Sequence, residues 1–213
     1  MGGRGAWSGH GASTGGGSGG ASYKDVTKQF QGMDLHKFEN TIRDRKTEYV
    51  GIFDEKGKLI KATTSGSSDH AGIPEEAAGA AVLTHNHPYQ GGRMIGGTFS
   101  EADVINHIQL GIGTTRAVTN GPNENTYILA TKAGSNPRTL YSAAVMSRDN
   151  GKMEKIGTDA FTRVSADMKK KGYTDAQVQS KLGQIYIGSM KNFWKTEAAN
   201  AKYDYIEVKK ARW

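Results

Sequence analysis

The sequence predicts an α/β fold, in which a mixed β-sheet is flanked by helices. Segments with the apolar spacing of a helix alternate with strand-like segments, in the order helix, hairpin, helix, strand, helix, strand, strand. In addition, AAVLT at 80–84 is a short apolar run. A buried strand is the natural interpretation of such a run, with the end of a helix as the alternative.

The predicted domain opens with a helix and a hairpin. Apolar residues recur at helical spacing within 33–46, which indicates a helix packed on the core. Strand-like segments at about 47–54 and 58–64 flank the turn signal DEKG and predict a β-hairpin. A short helix is predicted to start near Pro74, since proline followed by glutamates is typical of a first helical turn.

The later part of the pattern contains one helix and two strands. SEADVINHIQLG predicts a helix that begins at Ser100 and is closed by Gly111. Strands are predicted at about 115–119 and 126–131, joined by a turn at 120–123.

Beyond residue 140 the sequence predicts mainly helices. Residues 153–171 and 174–200 have the pattern of two helices, and Thr174-x-x-Gln177 is a capping box at the start of the second. The final segment, YDYIEVKKARW, is compatible with a last strand or with a loose basic tail. These helices would form an extension to the α/β domain.

Composition divides the chain into three parts. Residues 1–22 are rich in glycine and serine and predict a disordered tail, residues 23–140 hold the α/β pattern, and residues 141–213 form the mainly helical extension. Residues 1–140 carry 14 Lys and Arg against 13 Asp and Glu, whereas residues 141–213 carry 14 against 8. The extension is therefore basic, which is compatible with nucleic-acid binding or with a solvated helical surface.

Several classes of protein are excluded by what the sequence lacks. There is no cysteine, so disulfides and thiolate metal sites are excluded, and any metal must be held by His, Asp or Glu. No run of about 18 apolar residues predicts a membrane span, and the first residues lack the apolar core of a signal peptide. A cytoplasmic protein fits these features.

The segment LTHNHPYQGGRMIGGTFSEADV at 83–104 carries the chemistry. His85 and His87 stand at positions i and i+2 near the predicted end of a strand, so both imidazoles point to one face and can converge on one metal ion. Asp103 lies downstream, beyond a glycine-rich loop, and is a candidate third ligand. Ser100-x-x-Asp103 is equally a capping-box pattern that needs no metal.

Hydrolysis by a metal-activated water also needs a carboxylate that moves protons. The upstream candidates are Glu39, Asp44, Glu48, Asp54, Glu55, Asp69, Glu75 and Glu76. Glu48 is modestly favoured because it opens an otherwise apolar strand. The histidines His107 and His70 are weaker candidates for lining the same site, and packing or surface roles explain them more simply.

Glu48 at a strand start, His85-x-His87-Pro88 and Ser100-x-x-Asp103 together resemble the JAMM motif. This motif marks the JAB/MPN (MPN+) zinc metalloproteases, which include deubiquitinating isopeptidases and bacterial and phage relatives. HNHP is most similar to the RadC-like branch, and EYVGIFDEKGKLI resembles the first hairpin of the family. The resemblance covers roughly 33–132 and implies an MPN/JAB-type, cytidine deaminase-like fold for residues 23–140.

The resemblance also implies a role for each residue. His85, His87 and Asp103 would bind Zn²⁺, with water as the fourth ligand. Glu48 would act as the general base and Ser100 would stabilise the oxyanion. The implied reaction is zinc-dependent hydrolysis of a peptide or isopeptide bond in a protein or peptide, such as a ubiquitin-like or a phage structural protein. Because protons compete with the metal for imidazole, activity is expected to fall well below about pH 6.

Other features leave alternatives open. Eleven residues, YQGGRMIGGTF, separate Pro88 from Ser100, more than is usual in the family, and they lie where a substrate lid would lie. The opening MGGRG is similar to phage structural proteins, so one alternative is a structural or assembly protein with a vestigial MPN site, located in the host cytoplasm or the virion. The other is a RadC-like, nucleic-acid-associated protein that uses the basic residues 141–213.

Overall fold

A computed structural model describes residues 23–68, 70–88, 97–120 and 124–209. The predicted tail at 1–22, the glycine-rich loop at 89–96 and the turn residues 121–123 lie outside the described residues. The structure contains strands at Lys24–Asp25 (β1), Tyr49–Phe53 (β2), Leu59–Thr64 (β3), Val82–His87 (β4), Thr114–Thr119 (β5), Asn125–Ala130 (β6) and Asp204–Lys209 (β7).

These strands form one mixed sheet in the order β1-β3-β2-β4-β5-β6-β7. The β4 and β5 strands are parallel, with register from Val82 opposite Thr114 to His87 opposite Thr119. The other neighbouring strands are antiparallel. The predicted hairpin is confirmed as β2 and β3, and the run at 80–84 leads into a strand.

The described helices are Leu35–Arg43 (α1), Glu101–Gln109 (α2), Pro137–Asp149 (α3), Lys152–Lys170 (α4) and Asp175–Asn200 (α5). A single 3-10 turn at Glu75–Ala77 stands where a short helix is predicted. The α/β prediction with a mixed sheet and flanking helices is thus confirmed. Within the described ranges, no helix combines the length and the apolar character that crossing a bilayer requires.

The helices cover the two faces of the sheet unequally. On one face α1 buries Phe38 and Ile42 in a cluster with Phe53 and Val118 of the sheet. On the other face, a larger cluster joins residues of α2, α3 and α5 to β5 and β6. Alternation along β4 therefore places His85 and His87 on the face of α2, where the larger core ends.

A glycine in β2 lets α1 approach the sheet. A Cβ atom added at Gly51 would lie 2.4 Å from Cε1 of Phe38, far inside van der Waals contact. The Phe38 ring, which is fully buried, therefore lies directly on the strand backbone. This close approach holds β2, and hence the segment just before it, firmly in the sheet.

The basic C-terminal part packs on the same sheet. The β7 strand pairs with β6 along its whole length, from Asn125 opposite Lys209 to Ala130 opposite Asp204. The sequence left the final segment open between strand and tail, and the structure makes residues 204–209 of it a strand. Helix α3, with Asn136 as its N-cap and Pro137 in its first turn, was missed by the sequence analysis.

Two predicted helix starts are confirmed in atomic detail. Thr174 and Gln177 form a capping box at the start of α5. Ser100 and Asp103 form another at the start of α2, and Gly111, just beyond that helix, has a positive φ of 62°. Such a φ favours glycine, so α2 is bounded at both ends by residues suited to its termini.

Candidate metal centre

The candidate site lies where the C-terminal end of β4 meets the N-terminus of α2. His85 and His87 project from β4 on one face, as the i, i+2 spacing predicts. The next described helix is α2, whose first turn carries Asp103. Parallel strands followed by helices place functional side chains at this edge of a sheet in many α/β proteins.

The two imidazoles and the carboxylate meet in space. The Nε2 atoms of His85 and His87 lie 2.9 Å apart. Oδ1 of Asp103 lies 3.2 Å from Nε2 of His85, and Oδ2 lies 3.5 Å from Nε2 of His87. One ligand atom from each residue lies within 4.8 Å of the others, so this group could hold a metal ion.

These distances fit a tetrahedral zinc ion. With metal–ligand bonds of about 2.0–2.1 Å, neighbouring ligand atoms in a tetrahedron are separated by about 3.3 Å. The 2.9 Å between the two Nε2 atoms and the 3.2 Å from Nε2 of His85 to Oδ1 of Asp103 lie close to that value, whereas Nε2 of His87 is 3.5 Å from the other carboxylate oxygen, Oδ2. Two neutral imidazoles and one carboxylate are also a common donor set for zinc, and they leave the fourth position to a water or a substrate.

The groups behind these ligand atoms orient two of the three side chains. Oδ2 of Asp103 accepts hydrogen bonds from the Ser100 N–H at 2.7 Å and from the Ser100 hydroxyl at 2.9 Å. Nδ1 of His87 lies 3.4 Å from the Gly97 carbonyl oxygen, to which its N–H can donate. Nδ1 of His85 is buried, and no hydrogen-bond acceptor is found for it within the described part of the chain.

Ser100 therefore acts on Asp103 in this structure. Its hydroxyl proton is directed at the Asp103 carboxylate, and its oxygen accepts from the Asp103 N–H at 3.2 Å. This is the capping-box arrangement, and it coexists with Asp103 facing His85. The capping and ligand interpretations of Asp103 are thus compatible. Oxyanion stabilisation by Ser100 stays a prediction.

The pairing of β2 with β4 in the sheet brings Glu48 close to this cluster. It immediately precedes β2, whose Val50 lies opposite His85 on β4. Its N–H donates to the Ser67 carbonyl at 2.7 Å, and its carbonyl accepts from the Thr64 hydroxyl at 2.6 Å. Its carboxyl group lies within electrostatic reach of both ligand imidazoles and of Asp103.

Burial and charge move the pKa values of these groups apart. Burial raises the pKa of Glu48, although the imidazoles of His85 and His87 oppose this rise. Burial alone would lower the pKa of His87, but the hydrogen bond to Asp103, the charges of Asp103 and Glu48, and the Gly97 carbonyl together outweigh that effect and raise the pKa to about 9. Burial likewise opposes ionisation of Asp103, yet the two imidazoles hold its pKa well below the usual range.

No protein-family model, no curated protein and no solved structure matches this chain. What the centre does must be inferred from its own side chains.

The weaker histidine candidates lie in two different places. His107 is buried with its ring nitrogens 2.9 Å from the Thr115 hydroxyl and 3.1 Å from the Thr131 hydroxyl, so it serves packing between α2 and the sheet. His70 is exposed on the loop after β3, and its charge is felt by Glu48. His70 therefore borders the site.

Among the rejected carboxylates, Glu39 is on the opposite face of the sheet. It accepts from Arg116 Nε at 2.6 Å and from Arg116 Nη2 at 2.9 Å, and from the Thr84 hydroxyl at 2.9 Å. This buried ion pair anchors α1 to β4 and β5. Its bonds are made within the core, so Glu39 takes no part in the metal centre.

Sequence reasoning missed three residues that support the site. Asn86 lies between the two histidines and is fully buried. Trp194 and Tyr205 lie far downstream and contact Phe99 and Thr98, just before Ser100. The HNH spacing marks Asn86 as a polar residue in a buried strand, which was a usable signal. Nothing local marks Trp194, which bonds across 95 residues.

Proposed function

We propose that this protein is a JAMM-type zinc metallopeptidase, which hydrolyses a peptide or isopeptide bond with Glu48 as the general base. The observation that carries the proposal is the cluster of His85, His87 and Asp103, in which one ligand atom from each residue lies within 4.8 Å of the others, with the Glu48 carboxyl group within electrostatic reach of all three. The resemblance of these same residues to the JAMM motif supports it.

The side chains provide the parts that such a reaction needs. Zinc held by His85, His87 and Asp103 would polarise the carbonyl and make a bound water more acidic. Glu48 would accept a proton from the attacking water as the new C–O bond forms. It would then deliver that proton to the amine nitrogen as the C–N bond breaks. A raised pKa brings Glu48 closer to neutral pH, where one group can both accept a proton and deliver it.

The chain also supplies orientation. Ser100 holds the Asp103 carboxylate, and the Gly97 carbonyl faces Nδ1 of His87, which leaves Nε2 free to bind a metal. The loop 89–96 lies outside the described residues, and its predicted role as a substrate lid stays a prediction. So does the nature of the substrate, whether a ubiquitin-like or a phage structural protein.

The decisive experiment combines metal analysis with base removal. The purified protein is expected to hold about one equivalent of zinc, lost in His85→Ala but kept in Glu48→Gln. Cleavage of a peptide library and of isopeptide-linked substrates is then followed by mass spectrometry. Glu48→Gln should abolish cleavage, whereas Glu55→Gln, in the exposed turn after β2, should leave it unchanged.

Two results would contradict the proposal. One is a protein that purifies without zinc and cannot be reloaded with it. The other is cleavage that continues at the parent rate in Glu48→Gln.

The two alternatives receive less support. A vestigial site normally lacks a ligand or the base, and here all four side chains are retained. The tightest basic cluster is Lys169-Lys170-Lys171, in which Lys169 pairs with Asp175 and Lys171 with Asp167. These ion pairs reduce the positive charge available to nucleic acid, so a solvated helical surface explains the basic extension more simply.

A further inference from the structure

Hydrogen bonds hold the backbone around Glu48 on both its β3 side and its β4 side. On the β3 side, the N–H and the carbonyl of Glu48 itself are bonded to Ser67 and Thr64. On the β4 side, the flanking peptide groups are bonded instead. The Tyr49 N–H donates to Oδ1 of Asn86 at 2.7 Å, and Nδ2 of Asn86 donates to the Thr47 carbonyl at 3.1 Å.

The Asn86 amide acts where the regular strand pairing stops. The described pairing of β2 with β4 runs from Phe53 opposite Val82 to Val50 opposite His85. The β4 strand goes on to His87, paired with β5, whereas the chain at 47–49 has left the β4 ladder. A side-chain amide has one acceptor and donors in the same plane, so it can replace a backbone peptide group at that point.

Burial makes these two bonds strong and selective. Asn86 is fully buried, so water does not compete with its amide for the hydrogen bonds to Thr47 and Tyr49. Alternation along β4 places Asn86 on the face opposite to the imidazoles. It can therefore tie the strand carrying the ligands to the segment carrying Glu48 without entering the site.

We infer that Asn86 is a positioning residue, which fixes the Glu48 backbone against the strand that carries His85 and His87. The inference rests on the proposed function for its consequence, since only a catalytic Glu48 needs such placement. The geometry of the two hydrogen bonds stands independently of that function.

The experiment compares Asn86→Ala with Thr84→Val in the full-length protein. Thr84 is a matched control because it is equally buried on the same face of β4 and loses one hydrogen bond, but that bond leads to Glu39 of α1 and not to the segment that carries Glu48. Amide exchange is followed by NMR at Tyr49 and, for reference, at Ile52 of β2. Asn86→Ala should speed exchange at Tyr49 by about tenfold relative to Ile52, and Thr84→Val should not.

A conservative variant provides rescue. Asn86→Asp keeps an oxygen that can accept from Tyr49, so protection at Tyr49 should persist in it. This variant also serves if Asn86→Ala does not fold. Unchanged exchange at Tyr49 in Asn86→Ala, or lost protection in a folded Asn86→Asp, would overturn the inference.

The position of Glu48 relative to the site can then be measured with bound Co²⁺, which is paramagnetic. With Co²⁺ bound, the paramagnetic shift of the Glu48 amide should move in Asn86→Ala and stay at its parent value in Thr84→Val. Both variants should keep Co²⁺ affinity within about threefold, because the ligands are intact. An unmoved Glu48 shift in a variant that binds Co²⁺ would overturn the inference. A parent protein that binds no metal would instead refute the proposed function, and the exchange at Tyr49 would still decide the role of Asn86.

Discussion

The indole N–H of Trp194 donates a hydrogen bond of 2.6 Å to the carbonyl oxygen of Phe99. Phe99 directly precedes Ser100, the residue that caps α2 and holds Asp103. A second tie follows at once, since the hydroxyls of Thr98 and Tyr205 lie 2.5 Å apart. Helix α5 and strand β7 thus hold the short segment that leads to the candidate ligand Asp103.

Trp194→Phe should weaken both the fold and the metal centre. It keeps an aromatic ring but leaves the buried Phe99 carbonyl without its donor, which is expected to lower the free energy of unfolding by about 1–3 kcal/mol. Zinc affinity should fall about tenfold, as when an outer-shell group is lost. Urea unfolding and chelator competition measure the two effects.

The control for this prediction is Tyr141→Phe. The Tyr141 hydroxyl accepts from Gln109 between α3 and α2, on the exposed surface and away from 97–100. It should leave zinc affinity at the parent value. Equal zinc affinity in Trp194→Phe and the parent would show that α5 does not support the centre.

Zinc binding should release a proton over an unusually high pH range. Nε2 of His87 must be deprotonated to bind zinc, and its pKa is raised to about 9. Below that pH the metal displaces a proton, so affinity should rise about tenfold per pH unit between about pH 7 and 9. The sequence-based expectation used the ordinary imidazole pKa, so it placed the loss of metal and of activity at a lower pH, below about pH 6.

Calorimetry in buffers of different ionisation enthalpy counts the protons released on zinc binding. We expect about one proton at pH 7. Asp103→Asn, which removes the charge that raises the His87 pKa, should bind zinc more weakly and with less proton release. Proton release near zero in the parent would mean that His87 is already neutral at that pH.

His107 should make the protein sensitive to acid. Burial lowers the pKa of His107 from 6.5 to about 4 in the folded state. Between pH 4 and pH 6.5 the unfolded chain therefore binds more protons than the folded chain. The contribution of neutral His107 to the free energy of unfolding is fully present above about pH 6.5 and is lost as the pH falls toward 4. The loss amounts to roughly 3 kcal/mol at most, from one group.

Urea unfolding of His107→Gln across this pH range tests the effect. The variant is expected to show a shallower fall in the free energy of unfolding with acid than the parent does. His36→Gln, on the exposed side of α1, should retain the parent slope. Identical slopes in His107→Gln and the parent would assign the acid sensitivity to other groups.

The Glu39–Arg116 pair should matter for stability and not for the metal. Glu39→Leu leaves the Arg116 guanidinium buried without its carboxylate, which is expected to cost about 3–5 kcal/mol. Adding Arg116→Met should recover much of this loss, because a buried pair replaced by apolar residues is often neutral. Zinc affinity should be unchanged in the double variant, since the pair lies on the opposite face. A weaker zinc affinity there would indicate coupling through β4.

The sequence predicted the parts of the fold whose signals are local. The hairpin of β2 and β3 has a turn between two apolar segments, and α2 has a serine cap and a closing glycine. Helix α3 was missed because its buried apolar positions, Leu140 and Ala144, are few and its N-cap precedes the point where the composition changes. The short β1 strand was also missed, since two residues carry no periodicity.

Spacing alone predicted that His85 and His87 share one face, whereas the approach of Asp103 to them was expected only from the resemblance to the JAMM motif. The i, i+2 rule fixes His85 and His87 on one face, but the return of Asp103 depends on where α2 packs. That placement is set by Trp194 and Tyr205, whose contacts with 98–99 are not encoded near either segment. Tertiary packing of this kind leaves no local pattern in the sequence.

The order of synthesis gives the β7 contact a further meaning. A ribosome makes His85, His87 and Asp103 well before Trp194 and Tyr205, and chains begin to fold as they emerge. The nascent chain thus displays its ligand side chains while the segment 98–99 still lacks its hydrogen-bond donors and acceptors. We expect stable metal uptake to begin only after translation has passed Tyr205. A nascent chain that is still being synthesised should therefore not hold a metal ion stably.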